Sequence, residues 1–176
     1  MSWRLKISET GLLVVDVQEK LVAAVKEPAD WVERAEILVK AAKLLEIPVA
    51  ITEQVPAKLG KTVPAVQLAA GKVSPAGKST FSAVDAGKAL GRKRILVAGC
   101  EAHVCVRQTV YDLRQKEVQP VLIADAVGSR RETDRQLALQ EMRQDGIVIA
   151  STEAVLFELL ETAEHSKFRE IQALIK

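Results

Sequence analysis

Residues 94–106, RILVAGCEAHVCV, pass from an apolar, β-branched run through a glycine into a polar stretch that holds both cysteines and one of the two histidines of the chain. The run 94–99 is short and nearly continuous in hydrophobicity, as expected of a strand buried on both faces of a parallel sheet. Residues 11–17, 47–51, 118–124 and 146–150 have the same character. Helical spacing fills the gaps between them. From 31 to 45, Val32, Ala35, Ile37, Leu38, Ala41, Ala42 and Leu45 form one apolar stripe, with Glu33, Arg34, Glu36 and Lys40 opposite. Residues 106–113 and 134–142 repeat the pattern, and 152–160 and 168–175 read as closing helices. Alternating strands and helices predict a layered α/β domain with right-handed crossovers.

The chain has 176 residues, 48% hydrophobic and 27% charged, which suits one globular domain with a sizeable core. Net charge is +2 and the cations are interleaved with carboxylates, so no basic stripe announces a nucleic acid as partner. No apolar run approaches the roughly 20 residues of a membrane helix, and residues 1–10 lack the apolar centre of a signal peptide. The expectation is a cytoplasmic protein with free thiols rather than a structural disulfide.

Ligands of an open parallel sheet sit beyond the carboxyl ends of its strands. Asp16 ends the first strand, Thr52-Glu53-Gln54 follows the second, the segment 99–105 follows the strand from Arg94, and Asp125 follows the next. All four converge on one rim. Residues 52–86, punctuated by Pro56, Gly60, Pro64, Gly71, Pro75 and Gly77, form a long irregular stretch of the kind that is often functional.

Gly71-Lys-Val-Ser-Pro-Ala-Gly77-Lys78-Ser79 is similar to a phosphate-binding P-loop but has one residue too many between its glycines, and Pro75 removes an amide donor. Neither His103 nor His165 has a partner at metal-ligand spacing, so no metal is expected. Cys100, at the end of an apolar strand, reads as a buried, inert thiol. Cys105 falls where the chain turns into a helix, where unpaired amides and the helix dipole favour thiolate and could hold an oxyanion. A nucleophilic Cys105 needs a base, and His103 or Asp16 could serve. The residues alone leave open whether Cys105 is catalytic or a packing cysteine.

Asp16-Val17-Gln18, Lys78 with Phe81-Ser82-Ala83, and Gly99-Cys-Glu-Ala-His-Val-Cys105-Val106 together resemble the three ordered signatures of the isochorismatase-like cysteine hydrolases. Thr52-Glu53-Gln54 with Pro56, Leu59-Gly60 and Thr62 further resembles the isochorismatase domain-containing subgroup. The resemblance implies a three-layer α/β/α sandwich around a central, mostly parallel, Rossmann-like sheet of about six strands. It implies a catalytic triad of Asp16, Lys78 and Cys105, an oxyanion hole from the amides of Glu101 and Cys105, and a cis peptide between Cys100 and Glu101. It also implies a small-molecule substrate and a homo-oligomer. The histidine cluster of metal-dependent nicotinamidases is missing, and Cys105 argues against isochorismate cleavage, in which the nucleophilic cysteine is lacking. The expected activity is therefore a hydrolase without cofactor acting on an amide or related C–N bond. The alternatives are an idle scaffold of the same fold and a redox protein pairing Cys100 with Cys105.

Around the triad, Gln18 is expected either to orient Asp16 or contact substrate, or to cap the strand end. Glu53 and Gln54 are expected to line the pocket or to form a structural turn. His103 is expected to bond the substrate or a backbone carbonyl, Phe81 to wall the pocket, and Asp125 to cap the loop before Arg130 or join the rim.

Overall fold

The computed structural model describes residues 4–25, 28 and 30–176. The first three residues of the stretch 1–10, read above as lacking a leader's apolar centre, lie outside that description. Six parallel strands form the sheet: β1 (Thr10–Val15), β2 (Val49–Gln54), β3 (Ala76–Lys78), β4 (Arg94–Cys100), β5 (Gln119–Gly128) and β6 (Val148–Ala150), in the order β3-β2-β1-β4-β5-β6. The helices are α1 (Glu19–Ala24), α2 (Trp31–Leu44), α3 (Pro56–Leu59), α4 (Pro64–Ala70), α5 (Val84–Ala89), α6 (Arg107–Gln115), α7 (Glu132–Gln144), α8 (Thr152–Leu160) and α9 (Phe168–Ile175).

The apolar runs are continuous because helices cover both faces of the sheet. Side chains alternate along each strand. Leu12, Val14, Leu96, Ala98, Val121 and Ile123 pack with Trp31, Leu38, Leu156 and Ile171 from α2, α8 and α9. Leu13, Val15, Ile95, Val97 and Leu122 pack with Val110, Leu113, Leu139 and Met142 from α6 and α7. Each fully buried leucine or valine contributes about 1.5–3 kcal/mol relative to exposure, so the two layers hold the sheet firmly. The result is the expected three-layer α/β/α sandwich.

Three boundaries differ from the sequence expectation. The sixth strand is β3, only three residues long at the sheet edge, and it contains Lys78. Gly77 and Lys78 therefore lie in a strand rather than a phosphate loop. Thr52, Glu53 and Gln54 belong to β2 instead of following it, because they continue the ladder to Ala76, Gly77 and Lys78. β5 runs on to Gly128 through a register shift in which Val97 faces Leu122 and Gly99 faces Val127. Asp125 sits inside that irregularity. Its carboxylate accepts from the amide and hydroxyl of Thr152 (2.8 and 3.0 Å), so it caps α8 rather than the loop before Arg130.

β1 lies between β2 and β4, where successive crossovers leave in opposite directions. The topology places the ligand crevice at the carboxyl ends of β1 and β4, where the direction reverses. Asp16 and Cys100 end the strands on either side of it.

Candidate active site

Asp16 leaves β1 in a left-handed backbone conformation (φ 52°) and is fully buried. Its Oδ1 accepts from the Thr52 hydroxyl at 2.8 Å and its Oδ2 from Lys78 Nζ at 2.7 Å. Lys78 comes from the edge strand, two strands away from β1. Its ammonium also donates to Gln54 Oε1 (2.7 Å) and to the carbonyls of Phe81 (2.9 Å) and Thr80 (3.1 Å). A buried cation and anion are tolerable only when paired and hydrogen-bonded, and this pair is both.

Cys105 lies near enough to the same carboxylate for its charge to act on the thiol. Residues Ala102–Val106 form a single π-helical turn that leads into α6, and Cys105 lies within it, 6% exposed. π-turns inside helices are frequent at functional sites. The Cys100–Glu101 peptide is cis, as the resemblance implied. Thr109, one helical turn beyond Cys105, donates to the Cys105 carbonyl (2.6 Å) and accepts from the amide of Ala83 (2.8 Å), tying the thiol's turn to the loop that holds Lys78. Gly99 allows the close approach of β1 and β4 here: at φ 119° it is left-handed, and a Cβ would lie 2.0 Å from the Val15 carbonyl.

The electrostatics reverse one sequence expectation. Burial, and next the negative charge of Asp16, push the Cys105 thiol up to about 12, while Lys78 pulls in the opposite direction. A hydrogen bond with Asp16 and the nearby Glu101 add to the upward push. Desolvation therefore outweighs the helix start and the lysine, and the resting thiol is protonated near neutral pH. Cys100 is fully buried, is pushed well up by desolvation and then Asp16, and its Sγ–H donates to the Asp16 carbonyl at 3.2 Å. Its burial is that expected of a strand end.

The surrounding residues divide into braces and rim. Gln18 is fully buried, donating to the carbonyls of Gln54 (3.1 Å) and Gly60 (2.7 Å) and accepting from the Gln54 amide (2.7 Å). It ties the Asp16 loop to β2 and to α3's far end. Glu53 accepts from the Thr62 amide and hydroxyl (2.7 and 2.8 Å), and Gln54 donates to the Ser79 carbonyl (2.9 Å) while holding Lys78. These three hold the loops in place. Phe81 is different: its carbonyl holds Lys78 while the residue is 52% exposed. His103 is half-buried, with Nδ1 3.0 Å from Ser129 Oγ, a side-chain partner rather than the backbone carbonyl considered above. Glu101 is buried, and its carboxylate accepts from both the amide and Nε of Arg130 at 2.9 Å. Thr109 and Arg130 received no site role from sequence, and Thr52 was placed on the rim only as part of the segment 52–54. Only Thr109 carried a local signal, its one-turn spacing from Cys105.

Among the described residues no group of three or more His, Cys, Asp or Glu side chains is placed to hold a metal ion. No helix among them is long and apolar enough to cross a membrane.

The isochorismatase domain model matches residues 10–154. Isochorismatase domain-containing protein 2 of Danio rerio is 37% identical over 178 aligned positions, covering 98% of this chain and 89% of that protein. Among solved structures, one described as the MAR1 ribonuclease of Caenorhabditis elegans superposes with a TM-score of 0.93 at 35% identity, covering 98% of this chain and 92% of its own. The YcaC gene product of Escherichia coli, described as an octameric hydrolase of unknown specificity, shares the fold with a TM-score of 0.86 at 22% identity, covering 99% and 96%. With the fold, the ordered motifs and these matches in agreement, the chain belongs to the isochorismatase domain family.

Proposed function

We propose that this chain is a cysteine hydrolase, independent of metal, that cleaves an amide or related C–N bond of a small molecule through a covalent Cys105 intermediate. The observation that carries this is a nearly buried thiol close enough to feel the charge of a buried carboxylate whose two oxygens are held by Lys78 and Thr52. A protonated thiol needs a base close by, and Asp16 is the carboxylate whose charge acts on it most.

In the first step Cys105 Sγ bonds to the substrate carbonyl carbon as its proton passes to Asp16. The developing oxyanion is taken by the backbone amides of Glu101 and Cys105. The Glu101 carbonyl accepts the amides of Val104 and Val106, on either side of Cys105, which ties the two proposed donors into one turn. The C–N bond then breaks as Asp16 returns the proton to the departing nitrogen. Water, deprotonated by Asp16, attacks the thioester, and the acid leaves with the thiol restored. Lys78 offsets the charge of Asp16 and of the thiolate as it forms. Gln18, Glu53 and Gln54 keep this geometry, while Phe81 and His103 present side chains at the rim for substrate. A homo-oligomer, implied by the family resemblance, completes the proposal.

A screen of small amides, carbamates and ureas against the protein and Cys105→Ala tests it. Turnover of at least one compound, lost in the variant, is expected. Turnover that survives the variant contradicts the nucleophile. The C. elegans neighbour's description raises a second reading, cleavage of RNA. The interleaved charges of this chain give little basis for phosphate-backbone binding. Cys105-dependent cleavage of RNA in the same assay would favour it over the amide reading.

A further inference from the structure

Two ion pairs flank Cys105. On one side is Asp16 with Lys78, whose ammonium is surrounded by protein acceptors. On the other is Glu101 with Arg130. Glu101 lies close enough for its charge to act on the Cys105 thiol, and its side chain is 8% exposed while that of Arg130 is 62% exposed. Arg130 follows β5 by two residues, and Gly128 at the end of β5 is the register partner of Cys100. The guanidinium thus stands on the rim beside the π-turn. Only its Nε is engaged: among the described residues neither Nη group has a hydrogen-bond partner.

We propose that the outward half of the Arg130 guanidinium is an anion subsite, and that the substrate carries a carboxylate a few atoms from the scissile carbonyl. The proposal rests on Cys105 as the nucleophile. A guanidinium pinned through Nε presents its two Nη groups as a planar fork, which matches a carboxylate bidentately. Glu101 fixes the arginine's orientation before substrate arrives, so less side-chain freedom is lost on binding. Glu101 and Asp134 both act on Arg130, so what the subsite offers is aimed donors rather than an unbalanced positive field. His103, bonded to Ser129 and with Nε2 4.0 Å from Asp134, borders the same rim.

The test uses short haloacids of increasing chain length beside their amides, with Cys105 labelling followed by peptide mass. The ratio of charged to neutral labelling rate isolates the subsite from the reactivity of the thiol. For at least one chain length, Arg130→Gln should cut that ratio about five- to tenfold, the worth of a charge-assisted pair, whatever the change in the neutral reagent's own rate. Because this variant strips Glu101 of its partner, Glu101→Gln/Arg130→Gln is measured as well and should show the same loss. A ratio unmoved at every chain length in both variants overturns the subsite. If Cys105 labels no faster than Cys100 with either reagent, the nucleophile fails, and the ratio still judges Arg130. Complete resistance of Cys105 to all reagents counts against both.

Discussion

Replacing Asp16 by Asn separates two roles that a single carboxylate combines: a charge that keeps the thiol protonated and a base that takes its proton. The Cys105 thiol stands at about 12 against an ordinary 9.0, so its thiolate fraction near neutral pH is reduced about a thousandfold. Burial is the largest cause and Asp16 the second. Removing the charge while keeping the side-chain shape should bring the thiol down by about one to two units, raising thiolate ten- to a hundredfold at fixed pH. Turnover should nonetheless fall, by about 100- to 10,000-fold, the usual worth of a positioned base. The assay is the pH dependence of iodoacetamide labelling at Cys105, from about pH 7 to about pH 11, beside turnover of whichever compound the screen finds. Lys78 loses its buried partner in this variant, which costs stability on the order of 3–5 kcal/mol. Asp16→Asn/Lys78→Met, which removes both charges, distinguishes a folding defect from a catalytic one. A labelling profile unchanged or moved to higher pH in Asp16→Asn would refute the electrostatic account, and turnover rising with thiolate would refute the base.

Lys78→Met alone should shift Cys105 labelling to still higher pH, since the lysine is the influence that lowers the thiol; an unchanged profile speaks against that role. Gln18→Ala leaves the amide and carbonyl of Gln54 and the carbonyl of Gly60 without their partner, and should destabilise by about 2–4 kcal/mol in urea unfolding, with turnover falling in step with the loosened Asp16 loop. Stability should also decline in alkali. Both thiols are pushed up by burial and then Asp16, so folded protein holds their protons more tightly than unfolded chain. For Cys105 that contribution is intact below about pH 9 and is lost as pH rises toward about 12, at about 1.4 kcal/mol per pH unit. Cys105→Ala should flatten the fall of urea-derived stability over that window by this amount, and an unaltered slope would count against a buried neutral thiol.

The strands that pack on both faces were readable because covered strands must be apolar throughout, as at 94–99 and 118–124. β3 was not readable: Ala76-Gly77-Lys78 has no β-branched residue, and only its pairing with Thr52, Glu53 and Gln54 makes it a strand. That pairing also explains why Lys78 reaches Asp16 across the sheet, a contact between residues 62 apart in sequence. Asp16 and Cys105 could be placed on one rim from the end-of-strand rule, but the state of the thiol could not. The helix start and Lys78 both point to a low value, and the burial that overrides them depends on packing of the π-turn against β4 and α7. Gln18 and Glu53 similarly brace loops whose paths are set by chain folding back after β2, so no local spacing distinguishes them from pocket residues.

The most direct measurement on the central claim is the mass of the protein quenched in acid during turnover of an amide or activated ester found by the screen. The account predicts an added acyl group located on the Cys105 peptide, formed and lost at rates consistent with turnover, and absent in Cys105→Ser. Turnover with the adduct on another residue, or undiminished turnover in Cys105→Ser, would contradict it.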